Sequence, residues 1–422
     1  MLLKNRNAVS TTVIAIVIIV LVVVAGGSYY YITQVAAGPK KTIGVVFDVG
    51  GRGDLSFNDM AALGADNVAT QQLGCATSNP TPCEQFLTSS NSNDYVTNLQ
   101  KLASETNPPV LIVAVGFLMT DAVNQTSKQY PNQNFAIIDG FVPGLPNVLS
   151  IQFRTDQGAA VAGALAAYAT SCYGGNKVGL VLGIEIPVLW TFEVGYKWGV
   201  SWAYNYSQSH GTAINVGAPG TKPVVYQYTG SFSDPAKGEA AATAQFNQGA
   251  VVSYNVAGST GNGIFTAAQK LAPSGATMGP PFGIGVDSDQ DWVAPGFVLA
   301  SQMKRVDTAV FQSAQLALNG SFKSAVSKNG GVLTLGMSSG AVAISTVNDV
   351  KTFLQIASSS GKSVNATQVT GQIQAMRNAV TAKCGDIYSI ANTLATQIKS
   401  GQVSVPYVLT QTAVNYWRGR YG

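Results

Sequence analysis

The sequence predicts an α/β protein with parallel sheets, built as two lobes and preceded by a transmembrane or signal segment. At 422 residues the chain exceeds one typical domain of roughly 100 to 200 residues, and with 46% hydrophobic residues it can bury a large core. Short apolar runs of strand length alternate with longer stretches of helical spacing, which is typical of parallel sheets covered by helices. A long uncharged apolar segment stands near the N-terminus.

The predicted strands place polar residues at their carboxyl ends. The first strand is predicted at residues 42–48, followed by a glycine-rich turn and the helical stretch 58–73. Further apolar strands are predicted at residues 110–115, 135–138, 148–153, 178–182, 224–228, 251–254, 282–286 and 297–302. At or soon after strand ends stand Asp48, Gly116, Asp139, Gly258 and Asp287. Ligands of parallel sheets bind beyond these ends, so one cleft is expected to gather all five residues.

The N-terminal segment predicts a membrane location. Residues 8–37 carry no charge, and residues 13–25 are almost entirely Val, Ile, Leu and Ala, enough with their flanks to cross a hydrocarbon core of roughly 30 Å. Lys4 and Arg6 orient the segment with its N-terminus in the cytoplasm, and tyrosines at 29–31 suit the far interface. We expect an anchor or signal at 1–33, a linker at 34–41, and a body on the outer face of the cytoplasmic membrane. Residues 4–10 also resemble archaeal class III signals, so cleavage before Ala8 and an uncleaved anchor both stay open.

Charge and histidine content exclude several functions. The net charge of +4 comes from 24 basic and 20 acidic residues, but residues 1–41 hold four of the basic residues and no acid, so the body is neutral. A neutral body predicts no nucleic-acid partner. The single histidine, His210, argues against a histidine triad or a zinc site. We expect no metal and no cofactor.

The four cysteines are Cys75, Cys83, Cys172 and Cys384. None lies near the apolar segment, where a bacterial lipoprotein carries its lipid, so anchoring of that type is not expected. Cys75 and Cys83 flank a short loop that can close as a disulfide in an oxidising compartment. The alternative, that they are unpaired small core residues, stays open.

A series of motifs occurs in a characteristic order along the body of the chain. The first is Phe-Asp-Val-Gly-Gly-Arg-Gly-Asp-Leu-Ser-Phe-Asn at residues 47–58. Others follow, in order, at residues 115–117, 135–139, 186–196, 228–232, 256–261, 285–290 and 303–307. Together they resemble the basic membrane protein family of substrate-binding lipoproteins, the purine-nucleoside receptors of ABC transporters, and the order and spacing hold from about residue 42 to residue 406.

The resemblance implies a periplasmic-binding-protein type I fold, with two Rossmann-like lobes, three hinge crossovers and closure on a ligand. We expect lobe 1 at residues 42–152 plus about 283–315, and lobe 2 at 153–282 plus about 316–406. Residues 407–422 form a C-terminal tail outside the match. The implied function is an extracytoplasmic solute-binding protein that binds a nucleoside, purine preferred, and delivers it to ABC permease subunits.

The resemblance assigns the aromatic part of the binding site to Phe57 and Phe192. Phe57 follows the glycine-rich turn and Phe192 comes from the opposite lobe, so the two rings can stack on a planar base. The alternative is that both are ordinary core aromatics, and for Phe192 the nearby Trp190 is a competitor for the role.

Carboxylates and an amine are expected to hold the sugar and the edge of the base. Asp287 can accept both hydroxyls of a ribose, and Lys304 can balance its charge and donate to the same sugar. The resemblance also places residues of the types of Asp48, Asn58, Asp139 and Gly258 in the pocket. From sequence alone, Asp48 and Asp139 fit turns equally well, and Asn58 fits a helix cap.

Other ligands and functions fit the sequence less well. Residues 287–291 imitate the start of a calcium loop, but Trp292 and Val298 occupy the positions of the turn glycine and the bidentate glutamate. The glycines at 50, 51 and 53 lack the Lys-Ser/Thr of a phosphate loop, and Asp48 and Asp54 would repel phosphate. A nucleoside-cleaving enzyme, for which no nucleophile or metal motif is found, a ligand sensor, and a pilin-like surface subunit remain as alternatives.

Overall fold

The computed structural model describes residues 41–218, 220–359 and 361–422. The predicted anchor or signal at 1–33 and residues 34–40 of the predicted linker lie outside these ranges. Within them, no helix combines the length and the apolar character needed to cross a bilayer.

The first sheet has six parallel strands in the order β11-β5-β4-β3-β1-β2. They are β1 Ile43–Phe47, β2 Glu84–Thr88, β3 Leu111–Val115, β4 Phe135–Ile138, β5 Val148–Phe153 and β11 Val332–Leu335. Strands β1, β3 and β4 are buried along their whole length, which explains their continuous apolar runs.

The second sheet has the order β12-β10-β9-β8-β6-β7. Its strands are β6 Lys177–Leu182, β7 Val224–Tyr228, β8 Ala250–Val256, β9 Phe282–Asp287, β10 Val298–Lys304 and β12 Val342–Ile344. Five of them run parallel, and β12 pairs antiparallel with β10. Two largely parallel sheets confirm the predicted α/β class.

Helices cover both sheets. They are α1 Phe57–Gln71, α2 Asp94–Ala103, α3 Thr120–Gln129, α4 Thr155–Cys172, α5 Pro187–Ser209, α6 Pro235–Asn247, α7 Gly263–Leu271, α8 Val306–Leu318, α9 Phe322–Lys328, α10 Val350–Ser359, α11 Ala366–Cys384, α12 Ile387–Lys399 and α13 Gln411–Tyr421. Helices α1, α2, α3 and α8 pack on the first sheet, and α4, α6 and α7 pack on the second. Proline at the first position of α5 and α6 suits a helix start, where its missing N–H costs no hydrogen bond.

Small residues let α4 and α5 approach each other closely. Helix α4 is rich in alanine and glycine and is buried from Thr155 to Thr170 except at Gln157. A Cβ atom at Gly199 of α5 would lie 1.9 Å from the Ala160 carbonyl oxygen. Glycine is therefore required where this helix pair forms the interior of the second lobe.

Three crossovers connect the two sheets, as the family pattern implies. The first crossover passes through Arg154, which lies between β5 and α4. The second passes through Arg305, which lies between β10 and α8. The third runs from β11 to β12. Arg154 and Arg305 have nearly equal backbone angles, φ −77°, ψ 63° and φ −78°, ψ 64°. Their backbone N–H groups donate to the carbonyls of Leu335 (2.7 Å) and Ala341 (2.8 Å), which belong to the third crossover. The three connecting segments are thus joined to one another.

The expected lobe boundaries were wrong in the C-terminal half. Residues 283–315 were assigned to lobe 1, but β9 and β10 belong to the second sheet, and only α8 of that range packs on the first. Residues 316–406 were assigned to lobe 2, but β11 belongs to the first sheet. The reason is that β9 pairs in parallel with β8, and β10 with β9, so both strands extend the second sheet. The chain returns to the first sheet only after β10, at Arg305.

Two disulfide bonds account for all four cysteines. Cys75 bonds to Cys83, the pairing that the sequence left open. Cys172 bonds to Cys384, which joins the C-terminal ends of α4 and α11.

The C-terminal tail forms helix α13, which packs on α5. Arg418 donates to both carboxylate oxygens of the buried Glu193 (2.9 and 2.8 Å) and to Glu185 (2.8 Å). Lys197 and Tyr228 also hydrogen-bond to Glu193. The tail therefore covers a charged group inside the second lobe.

Candidate functional site

A cavity lies where the carboxyl ends of the two sets of strands face each other. It contains about 610 Å³ of empty space, part of it open to solvent. The eight residues predicted for the site all line it: Asp48, Phe57, Asn58, Asp139, Phe192, Gly258, Asp287 and Lys304. That they bind a ligand stays a prediction.

The glycine-rich loop after β1 is fixed by carboxylates. Asp48 Oδ1 accepts hydrogen bonds from the Gly50 N–H (2.9 Å) and from Asn58 Nδ2 (3.0 Å). Asp48 is therefore both a turn former and a lining residue of the cavity. Gly116, at φ +122°, faces it, and a Cβ there would lie 2.8 Å from Asp48 Oδ2. Only glycine allows this approach without strain.

Asp54 orders the start of α1. Its carboxylate accepts hydrogen bonds from the backbone N–H groups of Ser56 (2.9 Å), Asn58 (2.9 Å) and Asp59 (3.1 Å). Burial, and then the charge of Asp59, raise the pKa of Asp54 to about 7. These bonds hold Phe57 and Asn58, the first residues of the helix, at the wall of the cavity.

The same loop contacts the second sheet. Ser56 Oγ donates to the carbonyl of Val286 (2.8 Å), and Ser288 Oγ donates to the carbonyl of Leu55 (2.6 Å). Asn262 Nδ2 donates to the carbonyl of Asp54 (3.1 Å). Residues of both lobes thus meet at one end of the cavity.

A buried lysine is surrounded by carboxylates. Lys304 Nζ lies 2.6 Å from Asp139 Oδ2 and 3.8 Å from Asp287 Oδ1. Burial opposes the charge of Lys304, but Asp139 and Asp287 outweigh it and raise its pKa. Burial also raises the pKa of Asp287 to about 6, although Lys304 counteracts the shift. The predicted pairing of Lys304 with Asp287 is therefore the longer of two contacts, and Asp139 is the nearer partner.

Aromatic rings from both lobes surround the same amine. Lys304 Nζ lies 4.3 Å from the centroid of Phe57, 5.4 Å from that of Phe153 and 5.8 Å from that of Phe192. Phe57 is half-buried on α1 and Phe192 is buried on α5. The arrangement offers cation–π stabilisation to the lysine and flat apolar surface to a ligand.

Three oxygen atoms of the site are buried without a hydrogen-bond donor among the described residues. They are Asn58 Oδ1, Asp139 Oδ1 and Asp287 Oδ1; the last has Lys304 Nζ at 3.8 Å, beyond hydrogen-bond distance. Leaving such an acceptor unpaired costs about 1 to 3 kcal/mol, so each calls for an explanation. Donors on a bound molecule would supply one.

Two of the three residues with unpaired oxygens, Asp139 and Asp287, have a strained backbone conformation. Asp139 follows β4 in the first sheet and Asp287 ends β9 in the second, and both have φ in the left-handed region, at 64° and 65°. This conformation costs a non-glycine residue on the order of 1 to 3 kcal/mol and is concentrated at functional sites. Both aspartates are thereby turned toward the cavity that they line.

Several lining residues, among them Phe117 and Phe232, were not predicted from the sequence. Both stand in motifs that supported the resemblance, and both follow a strand end, which was the available signal. Phe232 lies against the backbone of Gly183, where a Cβ would come within 2.2 Å of its ring. The apolar residues Leu118, Ile186, Val188 and Leu189 complete much of the wall.

Comparison with known proteins agrees with this geometry. Residues 41–376 match the family described as ABC transporter substrate-binding protein PnrA-like, or Bmp. The chain belongs to this family. A lipoprotein of Pyrococcus horikoshii is 34% identical over 364 residues, covering 86% of this chain and 82% of the relative. The ABC transporter nucleoside-binding protein BmpA of Lactococcus lactis is 32% identical over 68% of this chain and 79% of its own length.

A solved structure agrees with the fold of this Bmp-family chain. The crystal structure of an ABC transporter solute-binding protein from Aeropyrum pernix superposes with a TM-score of 0.75 at 32% identity. The match covers 89% of this chain and 96% of the other. The family predicted from the motifs and the periplasmic-binding-protein fold are thereby confirmed.

Proposed function

We propose that this ABC transporter substrate-binding protein binds a purine nucleoside in the cavity between its lobes, without altering it, and delivers it to permease subunits. The observation that carries the proposal is the set of buried acceptor oxygens on Asn58, Asp139 and Asp287, beside the rings of Phe57 and Phe192. Hydroxyl and amino groups of a nucleoside are the donors that these oxygens lack, and a base offers a flat face to the rings.

Charge favours a nucleoside over a nucleotide. Among the described residues, Asp48, Asp54, Asp139 and Asp287 line the cavity together with one cation, Lys304. A phosphate would meet repulsion from these carboxylates, whereas a ribose diol can donate to them in charge-assisted bonds of about 1.5 to 3 kcal/mol each. The name of the Lactococcus lactis relative, a nucleoside-binding protein, points the same way.

The proposal includes a location on the outer face of the cytoplasmic membrane, with the N-terminal segment as anchor. Support comes from the uncharged residues 8–37, preceded by Lys4 and Arg6. The Pyrococcus horikoshii relative is described as a lipoprotein, which fits a membrane-attached protein.

Binding and catalysis can be separated in one experiment. The full-length protein is titrated with inosine, guanosine and adenosine in a calorimeter, and the mixtures are then analysed for free base by chromatography. We expect saturable binding and intact nucleoside. Release of free base would show a nucleoside-cleaving enzyme, and absence of binding for all three would contradict the proposed ligand.

A further inference from the structure

A second cavity lies beside the third crossover. It contains about 990 Å³ of empty space, including space open to solvent. Its walls come from Val161 of α4, Arg377 of α11, residues of α12, and the chain from Met337 to Thr346. Among the described residues, none lines both this cavity and the one between the strand ends.

The charges that line this second cavity are positive. Arg377 and Lys399 are its charged lining residues, and no described acid lines it. Asp291 contacts Arg377 from the protein side, where its carboxylate also accepts hydrogen bonds from Ser301 and Ser345. A ligand entering the cavity therefore meets cations and no carboxylate in the wall.

Hydrogen bonds fix the Arg377 guanidinium in place but leave its Nε–H group without an acceptor among the described residues. Its Nη2 atom donates to Asp291 Oδ2 (3.2 Å), the carbonyl of Ser345 (3.0 Å) and Ser345 Oγ (3.3 Å). Its guanidinium lies 4.8 Å from the centroid of Tyr388. The Nε atom is buried without an acceptor among the described residues. A fixed guanidinium with an unpaired N–H group is suited to carboxylate or phosphate oxygens.

The rest of the cavity wall is mainly apolar, which suits an organic molecule better than an inorganic ion. Its apolar side chains include Val161, Met337, Val342, Ile344, Ala391 and Ala395. Hydroxyl and amide groups of Thr346, Asn392 and Thr396 add hydrogen-bonding positions. Concave sites of mixed character with a few placed polar groups are typical of small-molecule sites.

We propose that this cavity binds a small organic anion, whose carboxylate or phosphate group contacts Arg377 and whose apolar body contacts Val342, Ile344 and Ala395. The site is separate from the nucleoside cavity and does not depend on it. Because Met337 and Gly340 belong to the third crossover, an occupant also contacts the segment that joins the two sheets.

The test uses the full-length protein and probes that differ in charge but little in shape. Benzoate, phenyl phosphate and the neutral benzamide are titrated by calorimetry into wild type and into Ala395→Leu, which adds bulk to the cavity wall at a residue that is not among the contacts given for Arg377. We expect an anion to bind at least about tenfold more tightly than benzamide, and Ala395→Leu to remove that binding. The tighter of benzoate and phenyl phosphate identifies the anionic group.

The Asp287→Ala variant is the control, because it changes the nucleoside cavity and is expected to leave anion binding unchanged. Equal binding of benzoate and benzamide, no binding of either anion up to about 10 mM, or undiminished binding in Ala395→Leu would overturn the proposal. None of these results bears on nucleoside binding, so the two proposals fail separately.

Discussion

Lys304, at the end of β10 in the second sheet, donates a 2.6 Å hydrogen bond to Asp139, which follows β4 in the first sheet. The lysine side chain is 2% exposed and the aspartate side chain 7%. The pair therefore connects the two lobes in the interior of the candidate site. It also leaves the second oxygen of Asp139 free to accept from a ligand.

Replacing Lys304 by methionine is expected to lower the free energy of unfolding by about 3 to 5 kcal/mol at pH 7, because Asp139 and Asp287 then lack their buried cation. The loss should be smaller at pH 5, because burial raises the pKa of Asp287 to about 6 and its carboxylate is then largely protonated. Urea unfolding at both pH values measures this. Lys328→Met, at an exposed lysine, is the matched control, with an expected change below about 0.5 kcal/mol. Equal effects of the two substitutions would contradict a structural role for the pair.

Arg418→Met should destabilise the second lobe by about 2 to 3 kcal/mol, since Glu193 is fully buried and loses two charge-assisted hydrogen bonds while keeping Lys197 and Tyr228. Arg420→Met in the same helix is the control, because Arg420 is exposed and its side chain bonds to Tyr416. The measurement is the difference in unfolding free energy between the two variants. No difference would mean that α13 contributes little to the lobe.

Glu84 predicts a pH dependence of stability. Burial, followed by the charge of Asp66, raises the pKa of Glu84 to about 8. The folded protein then binds a proton that the unfolded chain releases near pH 4.5, so this group's contribution to stability is lost as the pH rises through about 8. Glu84→Gln should flatten the decline of Tm between about pH 5 and 8, and Glu239→Gln is measured alongside it as the matched substitution. An unchanged slope in Glu84→Gln would show that Glu84 does not hold the proton.

The positions of the candidate site residues followed from the sequence because parallel strands bring their carboxyl ends to one edge. Asp48, Asp139 and Asp287 each stand at such an edge, and they line one cavity. Their roles in binding were assigned through the family motifs, since the strand pattern alone does not distinguish a turn residue from a ligand contact.

Other features depend on contacts between distant parts of the chain. The pairing of Lys304 with Asp139 joins two sheets, and that of Arg418 with Glu193 spans 225 residues. Strand β12 has three residues, too few to show a period in the sequence. The lobe boundary near residue 283 was misplaced because a strand pattern does not reveal which of two similar sheets a strand joins.

The most direct test of nucleoside binding in the cavity uses Asp287 and the ribose hydroxyls. A purine ribonucleoside and its 2′-deoxy form are titrated by calorimetry into wild type and Asp287→Ala, with Asp287→Asn as a second variant because asparagine tolerates the observed φ of 65°. Thermal unfolding checks that each variant folds; Lys304 keeps its nearer partner Asp139 throughout. We expect wild type to prefer the ribonucleoside strongly, and Asp287→Ala to lose on the order of a hundredfold in affinity together with that preference. Equal affinities in all four wild-type and alanine titrations would contradict the placement of the ribose at Asp287.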